Sequence, residues 1–129
     1  MIGYVTLGTN DLDKARAFYD ALFGSFGAAR LMEMPSGFTL YGRGWGQPGV
    51  AVTRPYDGQA ASVGNGNMVS LVMDARDKVD AVHARALELR GSDEGAPGLR
   101  GEEGDRAFYG AYFRDLDGNK LCAFCVGPA

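Results

Sequence analysis

The chain repeats itself, and the repeat limits its possible folds more than any other feature. Tyr4-Val5-Thr6-Leu7 aligns with Met68-Val69-Ser70-Leu71 at an offset of 64 residues, placing Val5 on Val69, Thr6 on Ser70 and Leu7 on Leu71. The match continues through Asp13-Lys14 against Asp77-Lys78 and Ala17 against Ala81. Further on, Phe38-Thr39-Leu40-Tyr41-Gly42-Arg43 lies over Tyr109-Gly110-Ala111-Tyr112-Phe113-Arg114 at an offset of 71. The rise from 64 to 71 puts seven extra residues in the second half, and the Gly-rich stretch from Ser92 to Arg106 is where they fit. Two such modules fill the 129 residues as a single domain, with modules at 1–56 and 68–129 and a connector at 57–67.

Each module reads as βαβββ, an α+β arrangement. Tyr4 to Thr9 alternates as a strand, with Val5 and Leu7 on one face and Tyr4 and Thr6 on the other. Asn10 or Asp11 caps a helix whose apolar stripe is Leu12, Ala15, Phe18, Tyr19 and Leu22, stopping at Gly24. In the second module Asp74 is the cap candidate; Val79, Val82, Ala86 and Leu89 form the stripe, and Gly91 ends it. Strand-like runs follow each helix: Phe38 to Tyr41 and Val50 to Thr53, then Phe108 to Phe113 and Leu121 to Val126. Asp117-Gly118 between two apolar runs predicts a hairpin turn. Ser92 to Arg106 reads as a surface loop, with a rim or lid over a ligand cleft as the alternative.

Composition excludes several functions. A net charge of −3 and the lack of a Lys/Arg cluster argue against a nucleic-acid partner, which requires a basic face. No apolar run approaches the ~18 residues of a membrane span, and Met1-Ile2-Gly3-Tyr4 does not open like a secretory signal, so a cytoplasmic protein without a membrane partner is expected. The only cysteines, Cys122 and Cys125, stand three apart on a strand and point to opposite faces, so no disulfide is expected between them.

The motifs of known chemistry fail on their spacing. Gly42-x-Gly44-x-Gly46 leads into a strand at Val50, whereas a phosphate loop needs a helix there. Asp115-x-Asp117-Gly118-Asn119 begins like a calcium loop, but its glycine comes two residues early and Val126 stands where the bidentate Glu belongs. Cys122-Ala123-Phe124-Cys125 has redox spacing without a following helix. His83 is the only histidine, at the edge of a helical stripe, which excludes a two-histidine metal site within one chain.

With these residues in place, the sequence resembles the vicinal oxygen chelate superfamily, which includes glyoxalase I, bleomycin-resistance proteins and extradiol dioxygenases. The opening Tyr4-Val5-Thr6-Leu7, Asp11-Leu12 and Ala17-Phe18-Tyr19 resembles the family's first strand and helix. The segment from Gly95 to Arg100, then Tyr109-Gly110-Ala111-Tyr112-Phe113-Arg114-Asp115-Leu116-Asp117-Gly118-Asn119-Lys120, is similar to a glyoxalase-like branch. The resemblance implies paired βαβββ modules whose curved mixed sheets surround a cavity. It also implies a divalent metal held by His, Gln or Glu at four positions, which fall here on Tyr4, Ala51, Met68 and Cys122. None of the four is a usual ligand: Ala51 has no donor, Met68 is a soft thioether, Tyr4 offers a phenol rather than an imidazole or carboxylate, and Cys122 stands alone.

The expectation is therefore a member without metal or other cofactor that binds a small organic ligand in its cavity. Strand alternation assigns Tyr4, Thr6, Ala51, Met68, Ser70, Cys122 and Phe124 to the pocket, and Val5, Leu7, Val50, Val52, Val69, Leu71, Leu121 and Ala123 to the helix-covered face. One alternative is a glyoxalase-like lyase or isomerase using Tyr4 or Cys122, for which no catalytic partner is identified. Another is an interaction module that acts by dimerising. A homodimer is expected in each case, since two four-stranded sheets leave edges that one small chain covers poorly.

Overall fold

The computed structural model describes residues 1–129 and contains ten elements. The first module runs β1 (Tyr4–Gly8), α1 (Leu12–Gly24), β2 (Ala29–Glu33), β3 (Thr39–Gly42) and β4 (Gly49–Thr53). The second runs β5 (Val69–Val72), α2 (Arg76–Glu88), β6 (Ser92–Leu99), β7 (Phe108–Arg114) and β8 (Lys120–Val126). The repeat becomes two mixed sheets of identical topology, β1-β4-β3-β2 and β5-β8-β7-β6, with no closed barrel. In each, the module's first strand lies parallel to its last, so β1 and β5 are edge strands.

Register fixes the faces. Leu7 lies beside Val52, Val69 beside Leu121 and Phe113, and Leu71 beside Ala123 and Ala111; all pack into one core with Phe18, Tyr19, Leu22, Val79, Val82 and Ala86 of the helices. The opposite faces carry Thr6-Ala51-Leu40 in the first sheet and Ser70-Cys122-Tyr112 in the second. The two helices pack on each other as well as on their own sheets, so one core serves both modules.

Four local features differ from the sequence reading. β2 escaped it because Ala-Arg-Leu-Met-Glu is helix-favouring and does not alternate. The strand is held instead by its ladder to β3, across a bulge between Arg30 and Met32, and by Arg30, which donates two 2.7 Å bonds to Asp20 of α1. The expected loop from Ser92 is strand β6 as far as Leu99; its glycines and proline oppose strand propensity, but as an edge strand it absorbs them in two register shifts against β7. Asp74 does not cap α2: Ala75 holds the cap position without a side-chain bond, and Asp74 pairs with Lys78 at 2.7 Å. At the end of α2, Arg90 rather than Gly91 takes the left-handed turn, at φ 72. Gly91 is needed for a different reason, because a Cβ there would lie 2.7 Å from the Arg114 carbonyl of β7.

The turn between β7 and β8 joins the modules. Asp115, buried, accepts the Tyr19 hydroxyl at 2.5 Å and the backbone N–H groups of Asp117 and Asn119 at 2.9 Å each. Asn119 donates to the Gly8 carbonyl at 3.0 Å, and Asp117 accepts the Asn10 N–H at 2.9 Å. Burial, and next the negative charge of Asp115, push the Tyr19 phenol well above its ordinary range, so it stays a donor.

Candidate ligand-binding site

β1 and β5 are edge strands of separate sheets and do not pair, and residues of both border two cavities along the seam between the modules. The first, about 630 Å³, is bounded by Val5 and Val50 of the first sheet, Val69, Leu71 and Phe124 of the second, and Phe23 and Phe26 at the end of α1. Arg43 is the only formally charged residue in its wall; its guanidinium lies 5.8 Å from the centre of the Phe26 ring and donates to the Phe26 carbonyl at 3.2 Å. The second cavity, about 460 Å³, lies under the connector and is bordered by Thr6, Asn67, Met68, Asn119 and Lys120.

The seven pocket residues named from sequence are distributed unevenly around these spaces. Met68, Ser70 and Phe124 line the first cavity, and Thr6 and Met68 the second, so Met68 stands between the two. Tyr4 lies outside both, its ring edge-on to Phe38 at 5.7 Å. Ala51 is fully buried beside Leu40 and borders neither cavity. Cys122 is also fully buried, between Ser70 and Tyr112 in the ladder. Burial pushes its thiol up, outweighing the Ser70 and Tyr112 hydroxyls and the Arg100 guanidinium that pull it down. The thiol therefore stays protonated at neutral pH and is a poor nucleophile.

Sequence alternation missed Val5, Val50, Val69 and Leu71, because it assigned the whole helix-facing side to the core. The available signal was topological: a parallel first strand is an edge strand, and its inner face is only half covered at the seam between the modules.

The four positions where the family resemblance implies a metal do not fit a divalent ion. Ala51 has no donor, Tyr4 leans on Phe38, Met68 presents a thioether and the Cys122 thiol is held protonated. No three His, Cys, Asp or Glu side chains gather anywhere in a group that could hold an ion. Both cysteines are free and buried; Cys125 packs in the common core, and His83 bonds Asp93 of β6 at 2.9 Å. No helix is long and apolar enough to cross a membrane.

Two βαβββ modules of this topology, joined at a seam, define a glyoxalase-type protein. Residues 1–123 match the Glyoxalase/Bleomycin resistance protein/Dioxygenase superfamily, and the chain belongs to it. The fold is similar to a glyoxalase/bleomycin resistance protein from Albidiferax ferrireducens T118, at TM-score 0.84 and 34% identity over 97% of this chain and 98% of that one. A hypothetical protein from S. aureus follows at TM-score 0.73 and 25% identity, over 95% and 91% of the two chains. A lactoylglutathione lyase from Agrobacterium tumefaciens shares the fold at TM-score 0.67 and 21% identity, over 97% and 92%. No curated protein matches the chain.

Proposed function

We propose that this chain is a glyoxalase-family binding protein that has lost the family's metal ligands and holds a small organic molecule in the seam between its modules. The observation that carries this reading is the apolar cavity of about 630 Å³, a volume within the ~300–1,000 Å³ range of ligand sites. Its wall is aromatic and aliphatic with one cation, Arg43, which suits an amphipathic or aromatic compound. Enzymatic lyase or isomerase chemistry finds less support, because Cys122 is buried with its thiol raised and the Tyr4 ring packs edge-on to Phe38.

Calorimetric screening of small aromatic and amphipathic compounds tests the proposal. At least one compound is expected to bind with unchanged affinity after exhaustive chelation. Binding that disappears with chelator counts against it.

The protein is further proposed to act as a homodimer in the cytoplasm. Val72, Val126 and Trp45 are each more than 60% exposed, and β2 and β6 leave open edges, all of which a second copy would cover. Light scattering at micromolar concentration is expected to give twice the 13.7 kDa chain mass; a uniform monomer contradicts the dimer.

A further inference from the structure

On the face of the second sheet turned away from α2, two cations lie against the Tyr112 ring. The Arg100 guanidinium lies 5.3 Å from its centre and the Lys120 ammonium 5.5 Å. Neither belongs to any ion pair. The one carboxylate nearby in the ladder, Glu94, is taken by Arg114 at 2.5 Å, so this face keeps a positive surplus in a chain of net charge −3.

Arg100 is held in place rather than merely exposed. Its Nη1 donates to the Gly98 carbonyl at 3.0 Å and the Leu99 carbonyl at 3.4 Å, and its Nη2 to the Ala96 carbonyl at 2.7 Å, which folds the side chain back along β6. Two glycines clear its path: a Cβ at Gly95 would meet Nη2 at 3.3 Å, and one at Gly98 would meet Nη1 at 3.3 Å. The Gly-rich sequence that read as a loop thus leaves room for a fixed guanidinium. Such a fork, stacked on an aromatic ring with further N–H groups unspent, is suited to binding oxyanions. Ser70 and Cys122 lie beside Tyr112 on the same face, and Lys120 also borders the smaller seam cavity.

We propose that Arg100 and Lys120, both against the Tyr112 ring, form a binding site for a small molecule carrying an oxyanion, either a carboxylate or a phosphate. This site does not depend on the apolar cavity holding a ligand, since neither Arg100 nor Tyr112 borders that cavity.

Titration with inorganic phosphate and with benzoate at low ionic strength, followed by amide NMR shifts and by calorimetry, tests it. Saturable binding of either probe is expected, with shifts centred on Gly98 and Tyr112. Preference for benzoate assigns a carboxylate ligand, and preference for phosphate a phosphate ester. Arg100→Gln and Lys120→Gln are each expected to weaken binding about tenfold. Gly98→Ala, which keeps the charge but crowds the guanidinium, is expected to weaken it as well. Lys78→Gln, on the far side of α2, removes the same charge and is expected to change nothing. Absence of saturable binding by both probes overturns the proposal, as does equal weakening by Lys78→Gln, which would signify diffuse charge attraction. Loss of aromatic-ligand binding in the seam, with phosphate binding intact, counts against the cavity reading alone.

Discussion

Replacing Asp115 with alanine is expected to cost about 3 kcal/mol of folding stability and to lower the melting temperature by about 10 °C. The buried carboxylate satisfies four donors: the Tyr19 hydroxyl, the backbone N–H groups of Asp117 and Asn119, and the Asn119 side-chain amide. Removing it leaves them unpaired away from water, which costs more than the bonds themselves contribute. The turn also holds Asn119 against the Gly8 carbonyl, so the loss loosens the contact between modules and not only a hairpin. Tyr19→Phe removes a single bond to the same carboxylate and is expected to cost about half as much. Chemical denaturation of the two variants measures both; a cost below about 1 kcal/mol for Asp115→Ala would show that this carboxylate contributes little to holding the modules together.

Asp115 also gives acid stability an unusual component. Burial raises its carboxyl, outweighing the Tyr19 and Asn119 bonds that lower it, so the folded chain holds this proton more tightly than the unfolded chain. Its contribution therefore grows as pH falls through the raised value and shrinks as pH rises. Asp20 acts in the opposite sense: bonded by Arg30, it is lowered, and its contribution is present above the unfolded carboxylate pKa and lost as pH falls through the lowered one.

Met68→Trp is expected to abolish binding of an aromatic ligand in the seam, weakening it at least about a hundredfold, while the fold persists. Met68 borders both cavities, so the larger indole occupies the space where they meet. Overpacking costs about 1–3 kcal/mol in a closed core, and Met68 is 44% exposed, which leaves its replacement room to shift. Calorimetry beside a thermal melt separates the two effects. Binding that survives in a folded variant would place the pocket elsewhere.

The architecture was legible because the repeat carried it. Val5 with Val69 and Leu7 with Leu71 occupy the same place in two sheets of the same topology. Alternation also separated the faces correctly at Val52, Leu121 and Ala123, which all reach the core. It failed where edge ladders override composition, at Ala29–Glu33 and Ser92–Leu99. The site was less legible, for a geometric reason. Alternation tells which face a side chain takes, but the cavity lies at the seam between the modules and draws on both faces, Val69 and Leu71 from one and Ser70 and Phe124 from the other. Arg100 was invisible for a similar reason: its position depends on a side chain folding back over Gly95 and Gly98, which no periodicity records.

Elemental analysis of the dialysed protein tests the metal-free site most directly. Tyr4, Ala51, Met68 and Cys122 offer no set of hard or imidazole donors, so less than about 0.1 equivalent of any divalent metal per chain is expected. One equivalent of Ni, Zn, Mn or Fe per chain, surviving dialysis, would contradict it.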